Sequence, residues 1–233
     1  MNAVAARSRL LDAPALDAAG QMALDEALLD CAGAGESILR FYRWQGPAVT
    51  FGYFQAHAEA RALAQARGMG AAPLVRRLTG GGAVFHDGDL TFSWVFSWPD
   101  ASAPQLIYKD LHRAVHLGFK SLGLATRLWS PPSGPCPPAA ACFTAPAPID
   151  LVTEDGRKIL GGALRKRRGL GLYQGSLRAE GRGRSVRDLK EAVARGLFDG
   201  EPALRSEAEP ELLGRAQRLA RERYCTPQWN EKR

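Results

Sequence analysis

Apolar positions along the chain switch between two periods. Between residues 17 and 32 they recur at helical spacing, with Met22, Leu24, Leu28 and Leu29 on one side, which predicts an amphipathic helix. Two β-rich runs follow, Ile38–Trp44 and Ala48–Phe54, broken at Gln45-Gly46-Pro47, and predict two strands and a turn. An Ala-rich helical stretch over 57–68 ends at Gly68. Leu74–Arg77 predicts a short strand and Leu90–Ser97 a longer, alternating one. The clearest helix covers 104–122, where Ile107, Leu111, Ala114, Val115, Gly118 and Leu122 repeat on one face. Ala125–Trp129 reads as a strand. Seven prolines (Pro131, Pro132, Pro135, Pro137, Pro138, Pro146 and Pro148) then exclude regular structure from 130–148. A loop this long in a compact domain is usually functional or disordered.

Downstream, Ile149–Thr153 and Arg157–Arg165 predict a hairpin across Asp155-Gly156, and a turn at Arg168-Gly169 leads into the strand Leu170–Leu177. Ser185 with Asp188 reads as a capping box opening a helix to about Leu197. A last helix, about Pro210 to Tyr224, turns Leu212, Leu213, Ala216 and Leu219 inward. This uneven alternation of helices, strands and hairpins predicts an α+β fold, a mixed and mainly antiparallel sheet flanked by helices. With no internal repeat and no shift in composition, residues 1–233 are expected to form a single domain.

Composition narrows the class. At 233 residues and 45% apolar the chain can build a large core. No stretch reaches the roughly 20 apolar residues of a membrane span, and the start of the chain lacks the apolar region of a secretory signal. The expectation is a cytoplasmic protein with no membrane partner. The net charge of +7 favours anionic partners. Zinc-finger spacing, a helix-turn-helix cue and an aromatic-studded basic stripe are all missing, so an acidic protein is expected rather than nucleic acid. The four cysteines, Cys31, Cys136, Cys142 and Cys225, match no metal site and no redox pair. No metal is expected, and Cys31 is placed in the core of the first helix.

Chemistry concentrates in a few places. The run Arg76-Arg77-Leu78-Thr79-Gly80-Gly81-Gly82-Ala83-Val84-Phe85-His86-Asp87 opens the backbone to a ligand and sets fixed positive charge beside it. It suits an anion, or a carbonyl that becomes anionic during reaction. His86 reads either as a base or ligand-orienting donor, or as a structural histidine. Lys158, ahead of Gly161-Gly162-Ala163, can lie along a pocket wall or be solvated at a hairpin mouth. Cys142, in the Pro-rich loop, is a candidate nucleophile with Cys136 as rival. Arg165-Lys166-Arg167-Arg168 reads as a solvated turn or as a docking patch for an acidic partner.

Read together, the glycine run and Asp155-Gly156-Arg157-Lys158-Ile159-Leu160-Gly161-Gly162-Ala163 resemble the lipoate–protein ligase A and octanoyltransferase family, of the biotin/lipoate ligase fold. Leu39-Arg40-Phe41-Tyr42-Arg43-Trp44, Phe51-Gly52-Tyr53-Phe54-Gln55, Gln174-Gly175-Ser176-Leu177 and Tyr224-Cys225-Thr226-Pro227-Gln228-Trp229-Asn230 extend the likeness from about residue 10 to 230. Gly162, Leu164 and Gln174 stand where the family more often carries polar residues or a histidine. Cys142-Phe143-Thr144-Ala145-Pro146 looks like the cysteine-dependent octanoyltransferase branch. That resemblance implies an acyltransferase. Cys142 would take an octanoyl group from acyl carrier protein as a thioester. It would then deliver it to a lysine of a lipoyl domain, in a 2-oxoacid dehydrogenase or the glycine cleavage H protein. Lys158 would hold the acyl carbonyl, while Arg76, Arg77, Thr79, Gly80, Gly81, Gly82, His86, Gly161, Gly162 and Ala163 would form the substrate site. No cofactor is implied unless the chain is the catalytic half of a bipartite ligase, which would need ATP and magnesium. The chain's end just after the closing motif, with no added accessory domain, favours the transferase. A lipoyl-domain amidotransferase and a non-catalytic acyl- or lipoyl-binding module remain as alternatives.

Overall fold

The computed structural model describes residues 7–99, 101–130, 146–178 and 185–232. Cys136 and Cys142 lie outside the described residues, as does most of the Pro-rich stretch. In chain order the elements begin β1 (Arg7–Asp12), α1 (Ala18–Cys31), β2 (Glu36–Tyr42), β3 (Ala48–Phe51), α2 (His57–Ala66), β4 (Leu74–Arg76), β5 (Val84–His86) and β6 (Leu90–Ser97). They continue through α3 (Pro104–Ser121), β7 (Arg127–Leu128), β8 (Leu151–Val152), β9 (Lys158–Arg167), β10 (Leu170–Leu177) and α4 (Val186–Leu197). β11 (Leu204–Glu207), α5 (Pro210–Leu219), a π-helical turn at Ala220–Tyr224 and α6 (Pro227–Asn230) complete them.

An eight-stranded sheet runs in the order β11-β1-β2-β6-β10-β9-β8-β7, and a small sheet runs β4-β3-β5. The large sheet is antiparallel from β2 through β7; β1 pairs parallel with both β2 and β11. The mixed α+β architecture is as the sequence predicts. Three predicted strands are shorter than expected. The Ala48–Phe54 run stops at Phe51 because Gly52 turns into the glycine loop's path. Ala125–Trp129 and Ile149–Thr153 shrink to two paired residues each.

Strand alternation divides the core. On β10, Leu170 and Leu172 face a cluster built with α1 and the C-terminal helices, while Tyr173 and Leu177 face α3 and α4. Helix α1 departs from the amphipathic expectation: Gln21, Asp25 and Glu26 are buried along with its apolar residues. It lies between the large sheet and α5, so almost no face meets water. Cys31 corrects the sequence reading in the other direction: it closes the last turn of α1 and is exposed. The capping box at Ser185 and Asp188 forms as predicted. No helix among the described residues is long and apolar enough to cross a membrane.

Candidate active site

The glycine loop joins β4 to β5, the two strands that flank β3, so it must cross the end of β3. Gly52 makes that crossing possible. A Cβ there would sit 1.8 Å from the Gly81 carbonyl oxygen, which no side chain tolerates. Arg77 holds the loop from inside, donating from Nη2 to the carbonyls of Gly80 (2.6 Å) and Gly82 (2.9 Å). Arg76, its neighbour, is turned the other way and fully buried. Its guanidinium donates to the carbonyls of Gly52, Tyr53, Gln55, Trp229 and Asn230, tying the closing motif to the Phe51–Gln55 turn. Arg76 is thus a clamp on the fold and does not line the site.

Between this loop and the large sheet lies a narrow slot with about 30 Å³ of free space, room for about two waters. Met22, Tyr42, Trp44 and Val84 give it mainly apolar walls, and Arg77, His86, Gly161, Gly162 and Ala163 from the predicted set also line it. Thr79 stands one layer back. Its hydroxyl donates to Gln174 Oε1 (2.7 Å), and Gln174 Nε2 donates to Asp25 Oδ2 (2.7 Å). Asp25 also pairs with Arg40 and accepts from Ser93 Oγ (2.6 Å) and the Tyr42 hydroxyl (3.2 Å). Burial, then the Asp25 charge, pushes the Tyr42 hydroxyl well above its ordinary range, so it stays protonated as a donor. Gln174 therefore couples the glycine loop to a buried ion pair beneath the slot.

His86 is a wall of the slot, stacked under Trp44 with ring centroids 3.9 Å apart. Both ring nitrogens are engaged, Nε2 with Thr50 Oγ1 (2.8 Å) and Nδ1 with Asp89 Oδ2 (2.9 Å). Asp89 Oδ2 accepts in addition from Thr91 Oγ1 (3.0 Å) and Ser176 Oγ (2.5 Å). Burial pushes the Asp89 carboxyl up, but its pairing with His86 and the hydrogen bonds from His86, Ser176 and Thr91 outweigh it. The group stays below its usual range.

Lys158 begins β9 and folds back over Gly161: a Cβ on that glycine would sit 2.4 Å from Nζ. The ammonium, 8% exposed, pairs with Asp150 Oδ2 at 2.8 Å. The ammonium is therefore buried and paired rather than solvated at a hairpin mouth. Asp150 is completely buried and accepts from the Tyr108 hydroxyl (2.7 Å) and the Ala147 amide (2.6 Å). Tyr108 in turn accepts from the amide of Gly162, a slot residue, at 3.2 Å. Burial, then Tyr173 and Asp150, raises the Tyr108 hydroxyl well above its ordinary range, so it acts as donor to the carboxylate. Behind it, His112 bridges the Tyr173 hydroxyl (2.8 Å) and the Ile149 carbonyl (2.9 Å). Ile149 adopts φ of 72°, a left-handed conformation rare for a β-branched residue, just before Asp150. Burial lowers His112 to about 4, so it is neutral at pH 7.

The basic run does not form one patch. Arg165 lies over the Tyr53 ring at 5.0 Å, Lys166 lies over Trp98 at 5.5 Å, and Arg167 pairs with Glu26 (3.1 Å) and Asp30 (3.0 Å). Arg168 takes the hairpin turn at φ of 50°. Strand alternation has split the run across two faces. Asp25, Asp89, Asp150 and Tyr108 are site residues that the sequence reading passed over. Only Asp25 carries a local signal, an acid set among the apolar positions of a helix. Among the described residues no group of acids, histidines and cysteines is arranged to hold a metal.

Residues 17–199 match the family described as the lipoyl protein ligase A/B catalytic domain. The octanoyltransferase LipM of Oceanobacillus iheyensis is 40% identical over 166 residues, covering 69% of this chain and 60% of that protein. LipM of Brevibacillus brevis is 30% identical over 279 aligned positions, covering 97% of this chain and 99% of its own length. Protein Ta0514 of Thermoplasma acidophilum, with bound lipoic acid, superposes with a TM-score of 0.78 at 25% identity over 97% of this chain and 99% of that one. A chain from the structural analysis of a bi-partite lipoate protein ligase and its E2 lipoyl domain from the same organism gives 0.75 at 25% identity, over 97% of this chain and 96% of that one. The match reaches across both strands that carry the slot and both aspartates that brace it, and the chain belongs to the lipoyl protein ligase A/B catalytic-domain family.

Proposed function

We propose that this protein is an octanoyltransferase of lipoate biosynthesis that works through a thioester on Cys142. The Cys142 thiolate attacks the thioester carbonyl of octanoyl-acyl carrier protein, and the carrier thiol leaves with a proton. The amine of a lipoyl-domain lysine then attacks the Cys142 thioester, forming an amide and returning the thiol. The observation that carries this reading is the apolar slot with the Lys158 ammonium lying across its Gly161 wall. Full burial of a C8 chain would gain roughly 5 kcal/mol at about 0.8 kcal/mol per CH₂, enough to hold the acyl group without a nucleotide handle once the slot widens to admit it. Lys158 supplies positive charge where a tetrahedral oxyanion develops, an effect of about 3–4 kcal/mol in comparable sites.

The likeness to the bi-partite lipoate protein ligase supports a second reading, ATP-dependent lipoylation with a partner chain. One assay separates the two. Incubated with octanoyl-carrier protein and no ATP, the wild type is expected to gain one octanoyl mass and pass it to a lipoyl domain, and Cys142→Ala to do neither. An adduct on Cys136, or transfer of free acid that requires ATP, would overturn the Cys142 route.

A further inference from the structure

Strand β4 pairs with β3 alone, so its other edge presents backbone groups to no strand. At Arg76, which is fully buried, leaving those groups unpaired would be costly. Two side chains of α6 stand in for the missing strand. Asn230 Oδ1 accepts from the Arg76 amide at 2.8 Å, and the Trp229 indole Nε1 donates to the Arg76 carbonyl at 2.8 Å. The Asn230 amide nitrogen donates to the carbonyls of Tyr224 (2.8 Å) and Thr226 (3.1 Å), which turns its oxygen towards β4. Trp229 is wedged edge-on between Tyr53 and Tyr224, with ring centroids 5.8 and 5.6 Å away.

What α6 fixes on one side, the slot uses on the other. Arg77 follows Arg76 directly. Its amide donates to the Phe51 carbonyl at 3.0 Å, and its guanidinium holds the carbonyls of Gly80 and Gly82. The Phe51–Gln55 turn, tied to α6 through the Arg76 guanidinium, sends the Tyr53 amide to the Thr79 carbonyl at 2.8 Å. Both attachments of the glycine loop therefore lead back to α6. Neither Trp229 nor Asn230 lines the slot itself.

We infer that Trp229 and Asn230 are positioning residues, which set the glycine loop beside the slot through β4 and the Phe51–Gln55 turn. The consequence for acyl transfer rests on the thioester reading above; the consequence for the loop does not. A loop displaced by about an ångström from its productive place can cost roughly a hundredfold in rate.

Hydrogen exchange reads this joint without any substrate. The reporters are the amides of Arg77 and Tyr53, with the amides of β10 as reference. Asn230→Leu removes the acceptor and keeps the bulk. It is expected to speed exchange at the two reporters by about tenfold or more beyond any change in β10. At saturating octanoyl-carrier protein its transfer rate is expected to fall by about tenfold or more, with the half-saturating concentration within about twofold of wild type. Asn230→Asp restores the acceptor and is expected to return both readouts towards wild type. Trp229→Phe removes only the indole donor and is expected to move both the same way by a smaller factor, so the test stands even if Asn230→Leu does not fold. Ser185→Ala, which uncaps distant α4, is expected to leave the reporters in step with β10. Reporters that follow β10 in both the Asn230→Leu and Trp229→Phe variants, or loosened reporters beside an unmoved transfer rate, overturn the inference. A wild type that gains no octanoyl adduct refutes the transferase reading and leaves the exchange result to decide this one.

Discussion

Two basic side chains flank the slot, each braced by a buried aspartate, and the two pairs are built for different work. His86 has a partner at both ring nitrogens and a stacked indole on its face. Asp89, Thr50 and Trp44 fix it as a wall. Lys158 carries three N–H donors on a flexible stem, and Asp150 Oδ2 engages it on one side while the stem lies along a glycine. Asp150 is itself held by Tyr108 and the Ala147 amide, so it steers the ammonium without depending on it. One pair defines shape; the other positions charge. The same device, a buried carboxylate beneath a basic side chain, braces a wall at β5 and fixes an ammonium at β9.

The sharpest way to break this contrast is at Lys158. Lys158→Gln keeps a donor for Asp150 but removes the charge. Octanoyl transfer is expected to fall by about 100-fold or more, the scale of a lost oxyanion partner, and the buried Asp150 carboxylate left without its cation is expected to cost about 3 kcal/mol of stability as well. Single-turnover transfer beside a melting curve would show it; near-normal turnover would end the catalytic role. His86→Gln should differ in the rate. Asp89 loses its ring partner and Trp44 its stacking surface, so stability is expected to drop by about 2 kcal/mol, while transfer stays within tenfold. Denaturant titration with a matched rate measurement tests this, and a rate collapse at unchanged stability would reverse the assignment.

A subtler effect concerns His112, behind the Lys158 side. Its folded pKa is near 4 and its unfolded value near 6.5. The unfolded chain therefore binds more protons between those values. The contribution is fully present above pH 6.5 and is lost as pH falls toward 4. Between pH 7.5 and 5 the wild type is expected to lose about 2 kcal/mol of stability from this group. In His112→Gln that slope should flatten, and parallel pH dependences in the two proteins would remove His112 as its source.

Much of this arrangement could be read along the chain because it is written locally. Glycine runs, strand alternation around Leu170–Leu177 and the Ser185 cap are short-range signals, and the α+β class follows from them. The braces were not legible. Asp89 and Asp150 sit at strand entrances where an acid is ordinary, and only folding brings them to His86 and Lys158. Arg76 and Arg77 are adjacent and alike in sequence, yet backbone alternation sends one to the fold's interior and the other to the slot. The Arg165–Arg168 run looked like one patch because sequence hides the two faces of a strand.

The small size of the slot has a thermodynamic consequence. A crevice with room for about two waters holds little solvent to expel when an acyl chain enters. The gain must then come from new contact between chain and wall, aided by the pliable Met22 side chain, rather than from water set free inside the protein. Acyl entry into such a site releases heat, with a negative heat-capacity change from burying the chain.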